Sequence, residues 1–350
     1  IRYSSRMLYD QLAGLDLQID GYTLALRERD TSSDFTRTTT LLTLYGDDET
    51  GYGEDVTYDS EPHYDLVESD PELPITGSYS FAEFSGTVAD IDLFFGDEPG
   101  SSIFRSYRRW AFESAALDLA LKQAGTNLGE HLNRSYSPVR FVVSTRLQEP
   151  PTGERVAEWL ERNPDLEFKL DPTPEWTAEL VETLAETGAV QTLDLKGKYE
   201  GTDVDVPADP QLYELIRDGF PDAIIEDPNL TDETRPIFEG HENRVSWDYP
   251  IRSIDTVEEL PWEPSWLNIK PSRFGSVQSL LDTIEYCQKR EIQLYGGGQF
   301  ELGVGREQLH TLASLFYPDG PNDVAPGGYN DPEPSDDLPR SPLSAPSDPA

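Results

Sequence analysis

VQTLD, at residues 190–194, is a short apolar run that ends in a carboxylate, and three similar runs follow it along the chain. They are AIIE at 223–226, RVSWD at 244–248 and WLNIK at 266–270. Their last residues, Asp194, Glu226, Asp248 and Lys270, lie 32, 22 and 22 positions apart. A strand, a helix and two connections need roughly that length, because parallel strands require a crossover of about a dozen residues or more. The spacing therefore predicts successive βα units.

The four end residues are the types that a reactive metal site requires. In a (β/α)8 barrel, the C-terminal ends of successive strands converge on one mouth, where active sites lie. The pattern therefore predicts that three carboxylates and one ammonium meet there. Three hard oxygen ligands suit Mg²⁺, and a lysine beside them suits proton transfer.

The 350 residues fit a barrel with an accessory domain. Residues 1–135 read as an α+β domain, with strands at 17–26 and 37–45, a hairpin over 37–58 and a long helix over 104–124. Residues 136–330 alternate between strand and helix patterns, which indicates a parallel sheet. Seven βα units are visible there, and a weak eighth strand is predicted near NDVAP at 322–326. Residues 331–350, with many prolines, read as an extended tail without a core of its own.

The charge of the chain excludes some partners. It has 67 acidic and 27 basic residues, a net charge of −40, which would repel nucleic acid and anionic membranes. Because the acids are spread along the chain, we expect a halophilic source; an acidic interaction protein would concentrate them in a tail. The single cysteine, Cys287, rules out an intramolecular disulfide. The lack of a disulfide, of a long apolar run and of a signal-peptide pattern favours a cytoplasmic protein.

Several segments resemble the enolase superfamily, in its mandelate racemase and muconate-lactonizing branch. The hairpin at 38–55, with a Gly-x-Gly-Glu ending at 51–54, resembles the N-terminal capping domain of that family. The alanine-rich helix from Ala111 resembles the helix that runs into the barrel. The barrel segments that resemble the family are LDLKGKY, IIEDP, SWDYPI, LNIKPSRFGSV and YGGGQFELGVG. The resemblance extends from about residue 35 to 316 and implies a modified (β/α)8 barrel with a capping domain.

The resemblance also implies a chemistry. Asp194, Glu226 and Asp248 correspond to the Mg²⁺ ligands, with Mn²⁺ as the alternative ion, and Lys270 to a catalytic acid or base. The family removes the proton α to a carboxylate of a small molecule, through an enediolate that the metal stabilises. A lysine beside a divalent cation has a lowered pKa and can act as a base. The family is often oligomeric, so a homo-oligomer is possible.

The chain departs from the family at two neighbouring strands. The family's second strand usually ends Lys-x-Lys; here Lys169 matches the first lysine and Asp171 replaces the second. Lys196 replaces the asparagine of the third strand. We expect Lys196 to approach Asp171 and either to supply the missing catalytic lysine or to pair with that carboxylate. Because it has Lys169 and Lys270, the chain most resembles the lysine-based, o-succinylbenzoate-synthase-like group of the family.

The candidate catalytic residues are Lys270, Lys169, Lys196 and Asp171. The candidate substrate-binding residues are Arg273, Gln299 and Glu301. The expected function is that of a lyase or isomerase acting by elimination, cycloisomerisation or epimerisation. Two alternatives stay open. One is a metal-independent Schiff-base aldolase that uses Lys196 or Lys270, and the other is a metal- or metabolite-binding relative without catalysis.

Overall fold

The computed structural model describes residues 7–199, 202 and 204–347. The N-terminal part contains the strands β1 Asp16–Ile19, β2 Gly21–Asp30, β3 Thr36–Gly46, β4 Glu49–Asp55 and β5 Gly77–Ser80. Its helices are α1 Leu8–Leu12, α2 Glu61–Ser69, α3 Phe81–Ala89, α4 Ile103–Gln123 and α5 Leu128–His131. β2, β3 and β4 form an antiparallel sheet, and β1 pairs with β5 in a second, two-stranded sheet.

The predicted hairpin and long helix are confirmed, whereas the single strand predicted over 17–26 is wrong. The predicted strand breaks at Asp20, whose backbone N–H donates to the Tyr45 carbonyl on β3. The residues before Asp20 pair with β5 and those after it pair with β3. One run of residues therefore serves two different sheets, and it breaks at Asp20 and Gly21, two residue types that strands disfavour.

The Gly-x-Gly-Glu ending of the hairpin has a packing cause. A side chain at Gly51 would collide with the Ala115 carbonyl, and one at Gly53 would collide with the Ala111 carbonyl. These glycines allow β4 to lie directly on α4. Glu54 then accepts the backbone N–H groups of Leu302 (2.6 Å) and Gly305 (2.9 Å) at the start of a barrel helix. The hairpin is thus fixed both to its own helix and to the barrel.

The C-terminal part is a parallel barrel. Its strands are β6 Val143–Thr145, β7 Phe168–Leu170, β8 Val190–Asp194, β9 Ile224–Glu226, β10 Val245–Trp247, β11 Trp266–Ile269 and β12 Gln293–Gly296. Its helices are α6 Glu154–Arg162, α7 Ala178–Glu186, α8 Pro210–Gly219, α9 Ile254–Glu258, α10 Pro271–Phe274, α11 Val277–Lys289 and α12 Val304–Phe316. Short 3₁₀ turns cover Arg235–Phe238, Glu242–Arg244 and Gly327–Asn330. The seven strands pair in parallel in chain order, as the sequence predicts.

The weak eighth strand is reduced to two residues. Asn322 bridges in parallel with Phe141, just before β6, and Asp323 bridges with Gly297, just after β12. The Asn322 side chain reinforces this closure, since its Oδ1 accepts the Gly296 N–H at 2.7 Å and its Nδ2 donates to the Tyr317 carbonyl at 2.9 Å. The two edges of the seven-stranded sheet therefore meet across Asn322 and Asp323.

The tail segment, followed to residue 347, is extended and attaches to the barrel. Leu343 forms an antiparallel bridge with Val139, and the Ser341 hydroxyl accepts the Phe141 N–H at 3.1 Å. Leu338 and Leu343 are partly buried against the main core. The tail therefore covers part of the barrel with two leucines.

Within the described residues, no helix has the length and apolarity to cross a bilayer. Cys287 is fully buried in α11, and that burial raises the pKa of its thiol to about 12. A buried, protonated thiol of this kind fits a structural role.

The net charge of −40 predicts that folding depends on salt. Surface carboxylates repel one another, and on the order of 1 M salt shortens the screening length to about 3 Å. We expect the melting temperature to rise as KCl increases from about 0.1 M to 2 M, measured by calorimetry. The rise should shrink near pH 5, where carboxylates begin to titrate. A flat or falling curve at neutral pH would contradict the expected halophilic adaptation.

Candidate active site

Three carboxylates meet at the C-terminal ends of neighbouring barrel strands. Asp194 ends β8, Glu226 ends β9 and Asp248 directly follows β10. The parallel register places Asp194 beside Glu226, and Ser246 beside Glu226 on the other side. All three carboxylates are completely buried, and one oxygen from each lies within 4.8 Å of the others. Residues far apart in the chain thus form one compact acidic set.

Lys169, on β7, lies at the inner side of this set. Its Nζ is 2.5 Å from Glu226 Oε1, 3.5 Å from Asp194 and 3.4 Å from Asp323. Burial alone would lower the pKa of Lys169, but Glu226 and Asp194 outweigh it and raise the pKa. Lys169 is therefore a permanent positive charge that positions two of the three carboxylates.

Lys196 lies beside Asp194 and faces the position of the replaced lysine. Its backbone adopts a left-handed conformation, with φ of 55°. Its Nζ is 2.7 Å from Asp194 Oδ2 and 3.7 Å from Asp171 Oδ2. Burial disfavours its charge, but Asp171 and Asp194 together raise the pKa of Lys196 above its usual value. Lys196 and Asp171 are thus in contact, and Arg146 approaches the same Asp171 oxygen at 3.6 Å.

Lys270 approaches from the other side of the acidic set. It follows β11, and its Nζ is 2.8 Å from Asp248 Oδ2. The Arg273 guanidinium donates to the other Asp248 oxygen and, at 3.1 Å, to the Tyr199 hydroxyl. Burial would raise the pKa of Asp248, but Arg273 and Lys270 hold it below the usual range. Arg273, a candidate substrate-binding residue, is thus engaged with a carboxylate of the set.

The other two candidate substrate-binding residues lie in the loop after β12. The Glu301 carboxylate accepts the backbone N–H of Gln299 at 2.9 Å. Burial raises the pKa of Glu301. Glu301 therefore orders the loop that carries Gln299, and both side chains are buried.

Some contributing residues were not identified from the sequence. Asp227, buried and with φ of 49°, accepts the backbone N–H groups of Asp248 and Tyr249, both at 2.9 Å. The Tyr295 hydroxyl and Asn268 Nδ2, the latter at 3.2 Å, both donate to Glu226 Oε2. Asp227 adjoins Glu226 in the IIEDP segment and could have been found there. Asn268 and Tyr295 look like ordinary inward strand positions in the sequence.

The composition of the site fits a divalent cation. Among the described residues, six carboxylates lie in this cluster: Asp171, Asp194, Glu226, Asp227, Asp248 and Asp323. Five basic groups lie against them: Lys169, Lys196, Lys270, Arg273 and, at 3.6 Å from Asp171, Arg146. Burial and the neighbouring Asp194 and Asp248 raise the pKa of Glu226 to about 8, against the effect of Lys169. A hard cation among these oxygens would relieve that repulsion.

Together, the capping domain, the parallel barrel and the carboxylates at three successive strand ends define a member of the enolase superfamily, in its mandelate racemase and muconate-lactonizing branch. More particularly, the chain belongs to the family described as domain of unknown function DUF8230. The N-terminal domain of that family matches residues 10–131, and its C-terminal domain matches residues 135–331. The predicted superfamily and fold class are confirmed.

The chain is similar to o-succinylbenzoate synthases. It is 28% identical to the enzyme of Bacillus subtilis over 222 residues, which are 61% of this chain and 57% of the relative. It is 26% identical to that of Enterococcus faecalis over 228 residues, which are 61% of this chain and 59% of the relative. The matches thus span under two thirds of these relatives.

Among solved structures, an enolase-superfamily member from Listeria innocua superposes with a TM-score of 0.67. That match has 19% identity and covers 91% of this chain and 88% of the other. A muconate lactonizing enzyme gives 0.63 at 19% identity, covering 88% of each chain. These likenesses establish the fold.

Proposed function

We propose that this protein is a metal-dependent lyase or isomerase that removes the proton α to a substrate carboxylate, with Mg²⁺ as the metal. The observation that carries the proposal is the buried set of Asp194, Glu226 and Asp248 with lysines on either side. The curated relatives are o-succinylbenzoate synthases, which supports a reaction of the same superfamily.

In this proposal Asp194, Glu226 and Asp248 hold the metal. A bound divalent cation would supply positive charge that stabilises the negative charge developing on the substrate carboxylate. Lys169 keeps Glu226 and Asp194 in place through its contacts of 2.5 and 3.5 Å. Tyr295 and Asn268 orient Glu226 further. The chain thus presents a preorganised acidic set, which lowers the reorganisation needed during reaction.

The two flanking lysines take different roles. Among the described residues, Lys270 pairs with one carboxylate, Asp248, and in this proposal it accepts the α-proton. Lys196 has two carboxylate partners, Asp194 and Asp171, which favour its ammonium form. Lys196 therefore serves as a proton donor or as a positive charge near the departing or rearranging group. Elimination, cycloisomerisation and epimerisation all share the first proton transfer.

The experiment that tests the function is proton–deuterium exchange in D₂O with Mg²⁺, followed by NMR. A panel of acid sugars, dipeptides and cyclic carboxylates is incubated with the protein, and the α-position of each compound is observed. We expect at least one compound to lose its α-proton signal, and chelation of the metal should stop the loss. Binding of Mg²⁺ without exchange in any compound would favour the non-catalytic alternative. Borohydride trapping of a carbonyl substrate would favour the aldolase alternative.

A further inference from the structure

A cleft of about 400 Å³ lies between helix α6, the loop after β6 and the start of the tail segment. We call it the α6 cleft, because four residues of that helix line it: Arg155, Glu158, Trp159 and Arg162. Their spacing of three, four and seven positions from the first residue is that of a single helix face. Small-molecule sites measure about 300–1,000 Å³, so the α6 cleft has room for one small ligand.

The α6 cleft is separate from the three-carboxylate set. Asp194, Glu226 and Asp248 are not among the residues that line it. Residues 331–334 of the tail form part of its wall, whereas the C-terminal domain of the family matches this chain only as far as residue 331. The tail of this chain therefore completes a cleft that the barrel alone leaves open.

Two aromatic rings form one wall of the α6 cleft. The centres of the Trp159 and Tyr329 rings are 5.1 Å apart, and both residues line the cleft. The Tyr329 hydroxyl is already used, since it donates to the Pro339 carbonyl at 2.8 Å, and Phe141 packs edge-on against the same ring at 5.7 Å. The tail and the barrel thus hold this wall in place. Aromatic rings in such a wall favour a planar, apolar part of a ligand.

Arg155 brings a positive charge to the α6 cleft. Its Nη1 donates to the Arg146 carbonyl at 2.7 Å and to the Thr145 hydroxyl at 3.4 Å. Within the described part of the chain, no carboxylate forms an ion pair with Arg155. These contacts fix the side chain at one end and leave the remaining donors of the guanidinium for a carboxylate of a ligand.

Two of the other charges in the α6 cleft already have partners. Arg162 lies 3.6 Å from Asp336, and Asp331 lies 2.7 Å from Arg29. The Arg162 guanidinium also lies 5.5 Å from the centre of the Trp159 ring. Arg155 is therefore the better candidate of the two arginines for a ligand carboxylate.

The α6 cleft also contains hydrogen-bond acceptors. Gln148 lines the cleft, and its Oε1 is buried without a hydrogen-bond partner among the described residues. A buried acceptor without a donor is unfavourable, so such a group in a native protein calls for a partner. Glu158 and Glu333 line the cleft too, and neither forms an ion pair within the described ranges. These acceptors fit a ligand that carries an ammonium as well as a carboxylate.

We propose that the α6 cleft binds a free amino acid with an aromatic side chain. Its carboxylate pairs with Arg155, and its ring packs against Trp159. Its ammonium donates to Gln148 Oε1, near the negative charge of Glu158. This proposal does not depend on the reaction at the three-carboxylate set.

The test measures binding by calorimetry with L-phenylalanine, L-tyrosine and L-tryptophan as probes. Each is compared with analogues that lack one of the three recognised groups. For phenylalanine these are 3-phenylpropanoate without the ammonium, 2-phenylethylamine without the carboxylate and L-alanine without the ring. We expect at least one aromatic amino acid to bind with a Kd below about 1 mM, and each of its analogues to bind about tenfold more weakly or worse.

Two variants test the contacts. Arg155→Met removes the guanidinium and should weaken binding of the amino acid about tenfold or more. Gln148→Leu removes the acceptor and should weaken binding of phenylalanine but not of 3-phenylpropanoate, which has no ammonium. Arg290→Met is the matched control, because Arg290 is exposed after α11, lies against the Tyr286 ring and does not line the α6 cleft. Circular dichroism checks the fold of each variant, and Gln148→Leu decides if Arg155→Met fails to fold.

Glu226→Ala locates the bound ligand. Retained binding in this variant, together with weakened binding in Arg155→Met or Gln148→Leu, would support the α6 cleft. Three results would overturn the proposal. They are no aromatic amino acid with a Kd below about 1 mM, an unchanged affinity in every folded cleft variant, or a loss in Glu226→Ala, which would place the ligand at the three-carboxylate set.

Discussion

Replacing Glu226 with alanine is expected to weaken Mg²⁺ binding by more than about 100-fold, measured by calorimetry. Glu226 is the middle member of the three-carboxylate set, and its removal takes away one of the three ligands. Losing even an outer partner of a metal ligand typically costs 10–100-fold in affinity, so losing a direct ligand should cost more. The same change should abolish α-proton exchange.

The fold should survive this change, although at reduced stability. Removing one partner of a buried ion pair costs about 3–5 kcal/mol. Lys169 would keep Asp194 at 3.5 Å and Asp323 at 3.4 Å, which limits the loss. Circular dichroism and urea unfolding should therefore show a folded but less stable protein.

Asp323→Asn is the matched control for Glu226→Ala. It also removes a carboxylate partner of Lys169, but Asp323 does not belong to the three-carboxylate set. We expect this variant to bind Mg²⁺ nearly as the wild-type protein does. Unchanged Mg²⁺ affinity in a folded Glu226→Ala protein would reject the assignment of the metal ligands.

The features that the sequence predicted well are those that follow the alternation of strands and helices. The strand-end residues at 194, 226, 248 and 270 follow the βα repeat, and in the structure they lie at one end of the parallel sheet. Polar residues at the end of an apolar run stand out, because a buried strand gives no other reason for a charge there. The same logic predicts that Lys196 lies near Asp171, and the two side chains are 3.7 Å apart.

The features that the sequence did not predict depend on pairing partners and on close contacts between distant segments. The break at Asp20 separates residues that pair with the distant β5 from residues that pair with β3. The eighth strand, which the sequence predicts only weakly near 322–326, consists of two bridging residues, Asn322 and Asp323, and is too short for any period to appear. Arg37 and Tyr58 have no local signal, because their contacts with the Gln299 segment arise only when the capping domain lies on the barrel.

The second large effect is expected in the two variants Lys270→Met and Lys196→Met. They test which lysine acts in a site where Asp171 stands in place of the family's second lysine. Lys270→Met should lower α-deuterium exchange by about 10²–10⁴-fold, the usual contribution of a positioned acid or base. Lys196→Met should lower it substantially as well, because its ammonium is fixed beside Asp194 and would be lost from the site. Both rates are measured by NMR on the compound that exchanges with the wild-type protein.

The matched control is Lys289→Met, since Lys289 is exposed on α11 and pairs only with Glu285 among the ion pairs of the described residues. It should exchange at the wild-type rate. If Lys196→Met also exchanges at the full rate while Lys270→Met does not, the Asp171–Lys196 pair is structural and Lys270 is the only acid–base group. Chemistry would then be confined to reactions that remove and return the proton at one face. If both variants lose exchange, Lys196 supplies, from the neighbouring strand, the catalytic lysine that Asp171 replaces.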